Sequence, residues 1–237
     1  MKCYIKDYPR PQFMRTDWEN LNGTWDFGFD DENAGEKEKW YQEFKGDKKI
    51  NVPFTYETKL SGIQDETRHD FIWYHRTINV DGVKLENNRY ILHFEGSDFI
   101  TKVWVNGAYA GSHRGGYARC SFDVTNLVHD GENELTVKVE DSFDTQQPRG
   151  KQRWINENFG CWYVQTTGIW KTVWSEYVPK ISLASVKMTP DLQNAALKLE
   201  YEVAAAEKDL DDDLMITATV SFRGTTVAKQ CVLANQK

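Results

Sequence analysis

Residues 102–117, KVWVNGAYAGSHRGGY, place an Asn-Gly pair, a His-Arg pair and a Gly-Gly pair within sixteen positions. Val103 and Val105 alternate with Lys102 and Trp104, the period of two that marks a strand. Asn106-Gly107 supplies the two positive φ angles of a type I′ turn, so the chain from Ala108 is expected to return antiparallel. The second half, His113-Arg114-Gly115-Gly116-Tyr117, admits three readings on local grounds: a ligand loop, a catalytic site or the corner of a sheet.

The same period recurs along the chain. Trp25, Phe27 and Phe29 alternate with Asp26, Gly28 and Asp30, and Tyr90, Leu92 and Phe94 repeat the pattern. In FIWYHRTINV (71–80), Ile72, Tyr74, Arg76, Ile78 and Val80 share one face, and Phe71 and Trp73 begin the other. SFDVTNL (121–127) reads as a further strand. After the DGEN turn, Leu135, Val137 and Val139 point one way and Thr136 and Lys138 the other. GIWKTVWSEYV (168–178) closes the series. Many short strands separated by Gly, Asn and Asp turns predict an all-β antiparallel sandwich. Trp25, Phe27, Phe94, Val137 and Val139 are expected in its core. ENAGEKEKWYQEF (32–44) is polar and short, a loop with at most one or two helical turns.

A boundary falls near Pro179: all nine Trp precede it, and Ala, Leu, Val and Lys dominate after it. AALKLEYEVAA and MITATVSF alternate as strands do, so 181–237 reads as a second β module. It is shorter than the roughly 100 residues of an immunoglobulin-type sandwich. A truncated module with an uncovered edge, open to pairing with another chain, is the expectation.

Composition narrows the function classes. The net charge is -7 with no Lys/Arg block, which argues against a nucleic-acid or anionic-membrane partner. MKCYIKDYPRPQF holds no signal-peptide core, and no long apolar run follows. Cys3, Cys120, Cys161 and Cys231 are scattered without metal or redox spacing, so reduced thiols in a cytoplasmic protein are the economical reading. Asn22-Gly23-Thr24 matches a glycosylation acceptor by chance on this reading. No cofactor is implied: the glycines at 107, 111, 115 and 116 form no dinucleotide fingerprint, and the five histidines lack metal-ligand spacing. Ser112 and His113, adjacent on a strand, point to opposite faces, poor geometry for a nucleophile and its base. Carboxylates sit at alternating exposed positions or in turns and read as solvated.

Aromatic residues carry the functional signal. RWINENFGCWYVQTTGIWKTVW (153–174) concentrates Trp154, Phe159, Trp162, Tyr163, Trp170 and Trp174. Trp170 and Trp174 read as sandwich core on the last strand. Trp162 and Tyr163 follow Asn156, Glu157, Asn158 and Gly160 in a loop, and either pack there or meet a ligand. Aromatic faces beside amides and carboxylates suit sugar rings, whose C–H groups stack on π-systems while hydroxyls take the polar groups. The polar loop VPFTYETKLSGIQDETRHD (52–70) adds Tyr56, Glu57, Asp65 and Arg68; a loop this long is more often functional than idle.

LNGTWDFGFD, NVPFTYE, FIWYHRTINV, VWVNGAYAGSHRGGY, SFDVTNLV, GENELTVKVED and TTGIWKTVWSEYV come in the order and spacing of one family. The chain resembles the N-terminal part of glycoside hydrolase family 2, the β-galactosidase and β-glucuronidase family. The resemblance implies a galactose-binding-like jelly-roll sandwich, the sugar-binding domain, over residues 1–180. Residues 181–237 would begin an immunoglobulin-like β-sandwich domain. Catalysis in that family belongs to a later TIM barrel with two glutamates, and none of the 237 residues here corresponds to it. On this resemblance the Gly-Gly-Tyr corner is structural, and His113 and Arg114 lie at the surface or at a domain interface.

Two departures from the family pattern stand out. Many relatives carry an aspartate six residues before the glycine of the final strand; here that position, counted from Gly168, is Trp162. Either Glu157 or Asn158 takes the polar role, or an aromatic stacks on the sugar. Ala118-Arg119-Cys120 also replaces a Thr-Pro-Phe-like run. The implied parent is a retaining glycosidase, a β-galactosidase ahead of a β-glucuronidase, with a carbohydrate substrate, an intramolecular barrel as partner and room for a homo-oligomer. Substrate contacts would come from Trp162, Tyr163, Glu157, Asn158, Tyr56, Glu57, Asp65 and Arg68, with no catalytic residue in these 237 positions. Two rivals remain: an autonomous carbohydrate-binding module, and a bracing domain without sugar contact.

Overall fold

The structure, a computed structural model, describes residues 7–143, 146–205 and 213–234. The chain divides into two compact units, 1–178 and 179–237. In the first, β1 (Trp18–Asn20), β2 (Gly23–Phe29), β3 (Lys48–Val52), β4 (Phe71–Val80), β5 (Asn88–Phe94) and β6 (Ser97–Asp98) are followed by β7 (Ile100–Val105) and β8 (Ala108–Arg114). Then come β9 (Cys120–Asp123), β10 (Gly131–Glu140), β11 (Gly168–Ile169) and β12 (Val173–Pro179). A six-stranded sheet of order β3-β2-β4-β10-β7-β8 faces a four-stranded sheet of order β1-β12-β5-β9. Every pairing in the six-stranded sheet is antiparallel, as are β1 with β12 and β5 with β9.

The expected core is in place: Trp25, Phe27, Phe94, Val137 and Val139 are all buried. They join Ile72, Tyr74, Leu92, Val103, Val105 and Leu135 in one apolar cluster between the sheets. The hairpin also forms as expected. Asn106 and Gly107, with φ of 51° and 76°, make a two-residue turn, and Val105 pairs with Ala108.

Both sheets are also covered on their outer faces, which strand alternation alone does not reveal. Over the six-stranded sheet, residues 31–47 run as successive turns. Tyr41 stacks on Trp104, Trp104 on Trp73, and Trp40 leans on Trp73. Asp30 pins this coat by accepting hydrogen bonds from the backbone N–H of Ala34 and Gly35 and from the Trp73 indole. Lys138, on the face opposite Val137 and Val139, is buried here and donates to Asn33 and Glu36.

The four-stranded sheet has its own cover in a strap of residues 7–18. Tyr8 and Trp18 pack edge-on against Trp174, and the Arg10 guanidinium lies 5.5 Å from its ring centroid.

Three local expectations change. SFDVTNL is strand only to Asp123, whose carboxylate turns back to accept from Thr125 N–H and end the element. GIWKTVWSEYV is broken at Trp170–Thr172, where the Gly96 carbonyl accepts from both Trp170 and Lys171 N–H. Trp174 is therefore buried beneath the strap rather than between the sheets, and Trp170 is half-buried outside the core cluster. A short helix, α1 (Gly82–Asn87), capped by the Asp81 carboxylate on Val83 and Lys84 N–H, interrupts the run of strands. The Asn22 amide is committed internally, donating to Thr172 Oγ1 and accepting from Val173 N–H.

The second unit holds two antiparallel hairpins, β13 (Ser182–Asp191) with β14 (Ala196–Ala204) and β15 (Met215–Phe222) with β16 (Thr225–Leu233). No helix among the described residues is long and apolar enough to cross a membrane.

Candidate functional site

Two long connections leave the same end of the six-stranded sheet. Residues 53–70 lead into β4 at Phe71, and residues 141–167 leave β10 at Glu140, directly opposite Phe71 in the register. Arg153 joins them. Its Nη2 donates to the Glu66 carbonyl at 2.6 Å, its Nε to Gln165 Oε1 at 2.9 Å and its Nη1 to Asn158 Oδ1 at 3.3 Å. Above this junction opens a cavity of about 600 Å³ lined by Glu66, Thr67, Arg68, Arg153 and Asn156.

Arg68 lines the cavity directly, its guanidinium paired with Asp70 and 4.6 Å from the Phe143 ring centroid. Asp65 braces the wall by accepting from Thr67 N–H at 2.8 Å and from Thr67 Oγ1 at 2.6 Å. Asn158 steadies Arg153 from the other side, and Glu157 beside it is exposed. Tyr163 is 59% exposed, while its backbone pairs with Lys151 and Arg153. Trp162 is half-buried. It packs on Trp154 at 4.6 Å in a tight turn that also holds Phe159, a small aromatic cluster that stiffens the loop tip. Two expected contact residues are buried. Tyr56 is fully buried, its hydroxyl donating to the Thr67 carbonyl and accepting from His69 N–H. Glu57 is 5% exposed and lies beneath the loops.

Glu57 belongs to a buried carboxylate cluster. Carboxylates as a class read as solvated in the sequence; Asp98, Asp141 and Glu57 are each at most 5% exposed. Thr167 bridges two of them, its N–H donating to Glu57 Oε1 at 3.0 Å and its Oγ1 to Asp141 Oδ2 at 3.1 Å. Gln147 donates to Asp141 Oδ1, and Gln152 donates to Asp98 Oδ2. Arg149 Nη1 lies 3.6 Å from Asp141. Burial pushes the Glu57 carboxyl up to about 7. Burial, then the neighbouring Asp98 charge, takes Asp141 to about 7 as well. These groups hold the start and end of the 141–167 loop onto the sheet, and none of them lines the cavity.

The chemistry of the cavity is that of a binding wall. Glu66 is the single carboxylate among its lining residues, whereas retaining glycoside hydrolysis needs two carboxyl groups about 5–5.5 Å apart. Among the described residues, no group of three or more His, Cys, Asp or Glu is placed to hold a metal ion. The sequence reading missed Arg153, Gln165, Gln152 and Thr167. The polar run Gln165-Thr166-Thr167 immediately before the final strand was the available signal.

The first unit is thus a two-sheet antiparallel sandwich with a polar cavity on the loops at one end. The chain belongs to the glycosyl hydrolases family 2, sugar binding domain, whose model matches residues 18–175. It is 25% identical over 219 residues to a beta-galactosidase of Thermoanaerobacter pseudethanolicus, covering 89% of this chain and 27% of that protein. It is 32% identical over 143 residues to a putative beta-glucuronidase of Formosa agariphila, covering 59% of this chain and 16% of that protein. The fold matches a β-glucuronidase from Ruminococcus gnavus with a TM-score of 0.73 at 19% identity, over 93% of this chain and 39% of that one. The chain thus spans well under half the length of these relatives.

Proposed function

We propose that this chain walls one side of the substrate pocket in a retaining β-galactosidase of the cytoplasm, with both catalytic carboxyl groups on a separate TIM-barrel domain of the same polypeptide. The observation that carries the reading is the loop cavity itself, a rigid wall with one carboxylate and two arginines. Both arginines are already engaged, Arg68 by Asp70 and Arg153 by Glu66, Asn158 and Gln165. A wall without an uncommitted cation suits a neutral sugar better than a uronic acid, whose carboxylate would call for a free guanidinium. The relative whose sequence match covers 89% of this chain is named a beta-galactosidase, which supports the same choice. A β-glucuronide is the second reading, favoured by the relative with the higher identity. Cytoplasmic placement is supported by free Cys120, Cys161 and Cys231; Cys3 lies outside the described residues.

Nitrophenyl β-galactoside and β-glucuronide assays on the complete polypeptide and on this 237-residue chain test the proposal. The complete polypeptide is expected to hydrolyse the galactoside, and the 237-residue chain neither substrate. Turnover by the purified chain would place catalytic groups within it and end the proposal.

A further inference from the structure

The coat of residues 31–47 leaves two hollows on the outer face of the six-stranded sheet. One, of about 420 Å³, is lined by Glu36, Tyr41, Lys102, Trp104, Gly107 and Tyr109. The other, of about 550 Å³, includes Tyr41, Phe44, His75 and Glu134 in its walls. Tyr41 lines both, so the two hollows adjoin at its ring. Both volumes fall within the roughly 300–1,000 Å³ of small-molecule sites.

We propose that these adjoining hollows, centred on Tyr41 and Tyr109, are a second carbohydrate site that takes a neutral β-linked oligosaccharide. It is separate from the loop cavity and goes beyond the reading given above. Trp104, on the outer face, pairs with Thr136, four residues along β10 from Glu140 where the loops depart, a distance of about 13 Å.

Two features select a sugar chain. The first is aromatic surface that the fold leaves open. Tyr109, on edge strand β8, is 55% exposed with its ring centroid 5.6 Å from that of Trp104. Tyr41 stacks on Trp104 with its ring 8° from parallel, and the adjoining hollow is walled by Phe44, which stacks on His75 at 5.0 Å. Such rings offer π-faces to pyranose C–H groups.

The second feature is charge that is present but balanced. Lys102 Nζ lies 2.7 Å from Glu36 Oε1, Lys138 Nζ contacts the same oxygen at 2.8 Å, and His75 Nε2 lies 2.6 Å from Glu134 Oε2. The Lys–Glu pairs are closed on each other and give little to a charged ligand, and Glu134 is occupied by the His75 ring. Their remaining lone pairs and N–H groups still accept from and donate to hydroxyls, which are both donor and acceptor.

Titration of the 237-residue chain with cellotetraose and with β-1,4-galactotetraose, followed by isothermal calorimetry and by perturbation of amide NMR signals, tests the assignment. Saturable binding of at least one tetrasaccharide is expected, with Kd about 1 mM or tighter and shifts centred on β7, β8 and residues 40–44. Tyr109→Ala should weaken it at least tenfold, Tyr109→Phe should retain it, and Trp162→Ala should leave it unchanged. Tyr109 makes few buried contacts, and an unchanged Tm shows that the variants fold. Absence of binding by both tetrasaccharides, or equal affinity in Tyr109→Ala, overturns the proposal. So does a dimer of the chain that Tyr109→Ala disperses, since the hollows would then hold a second copy. None of these outcomes bears on hydrolysis by the complete polypeptide.

Discussion

Trp170 donates its indole N–H to the Gly116 carbonyl at 2.8 Å, while Tyr117 meets the Trp170 ring nearly edge-on at 6.0 Å. This contact decides among the three readings of SHRGGY. The Gly-Gly pair is a sheet corner fitted around a buried carboxylate: a Cβ on Gly116 would stand 2.2 Å from Asp98 Oδ1, and Asp98 is held by Gln152. Gly116→Ala is expected to destabilise the first unit by about 1–3 kcal/mol, the cost of overpacking a closed site. Thermal unfolding checks it, and a Tm equal to wild type would show that the corner has slack.

The raised pKa values of Glu57 and Asp141 set a direction for pH dependence. A carboxyl whose folded pKa exceeds its unfolded one stabilises the protein below the unfolded value, and that stability is lost as pH rises through the folded value. For Glu57 and Asp141 the loss runs from roughly pH 4 to about 7. Glu57→Gln, neutral at every pH, should melt several degrees above wild type at pH 8 and close to it at pH 4. A constant offset between the two proteins across this range would contradict the assignment.

Glu176 works in the opposite sense. Burial alone would raise its pKa, but the His93 hydrogen bond and the charges of Arg15 and Arg10 hold it below its ordinary 4.5. Its contribution persists above that value and is lost on acidification through the folded pKa. Arg10 and Arg15 bind it at 3.0 and 2.9 Å, so Glu176 fastens the strap. Glu176→Gln should cost about 2 kcal/mol, less than the roughly 3–5 of a fully buried pair because both guanidiniums keep some solvent. Tryptic cleavage after Arg15 should accelerate at neutral pH. Unchanged cleavage would mean that Tyr8 and Trp18 hold the strap alone.

Within the complete polypeptide, Trp162→Ala should raise KM several-fold and leave kcat within about threefold. The aromatic cluster positions the loop and supplies no proton, so its loss weakens ground-state and transition-state binding alike. Glu157→Ala, at an exposed position, should act in the same direction and more weakly. A kcat fall of a hundredfold or more in either variant would make that residue part of the chemistry.

Where one face of a strand meets the core, alternation located it: β2, β4, β5, the β7–β8 hairpin and β10 were all legible. The outer coats were not, because Trp73, Trp104 and Lys138 occupy positions that ordinarily face water. What buries them comes from residues 31–47, at separations such as the 105 between Lys138 and Asn33. The site was half legible for the same reason. Arg68 and Asn158 stood out by composition, whereas Arg153 acts through Glu66, 87 residues away, and Glu57 through Thr167, 110 away. Such pairings exist only after the two loops have met.

The layering of strap, sheets and coat also sorts the tryptophans into separate optical reporters. Trp25 sits between the sheets, Trp174 lies under the strap with Trp18 at the strap's end, and Trp73 and Trp104 lie under the coat with Trp40 within it. Trp154 and Trp162 ride on the site loop, and Trp170 marks the Gly116 corner. Emission from this protein is therefore a sum over five environments. Release of the strap would red-shift two indoles and leave the other seven unchanged, and acrylamide would quench the loop pair before it reached Trp25. Single Trp→Phe replacements would turn one unfolding curve into a map of which layer lifts first.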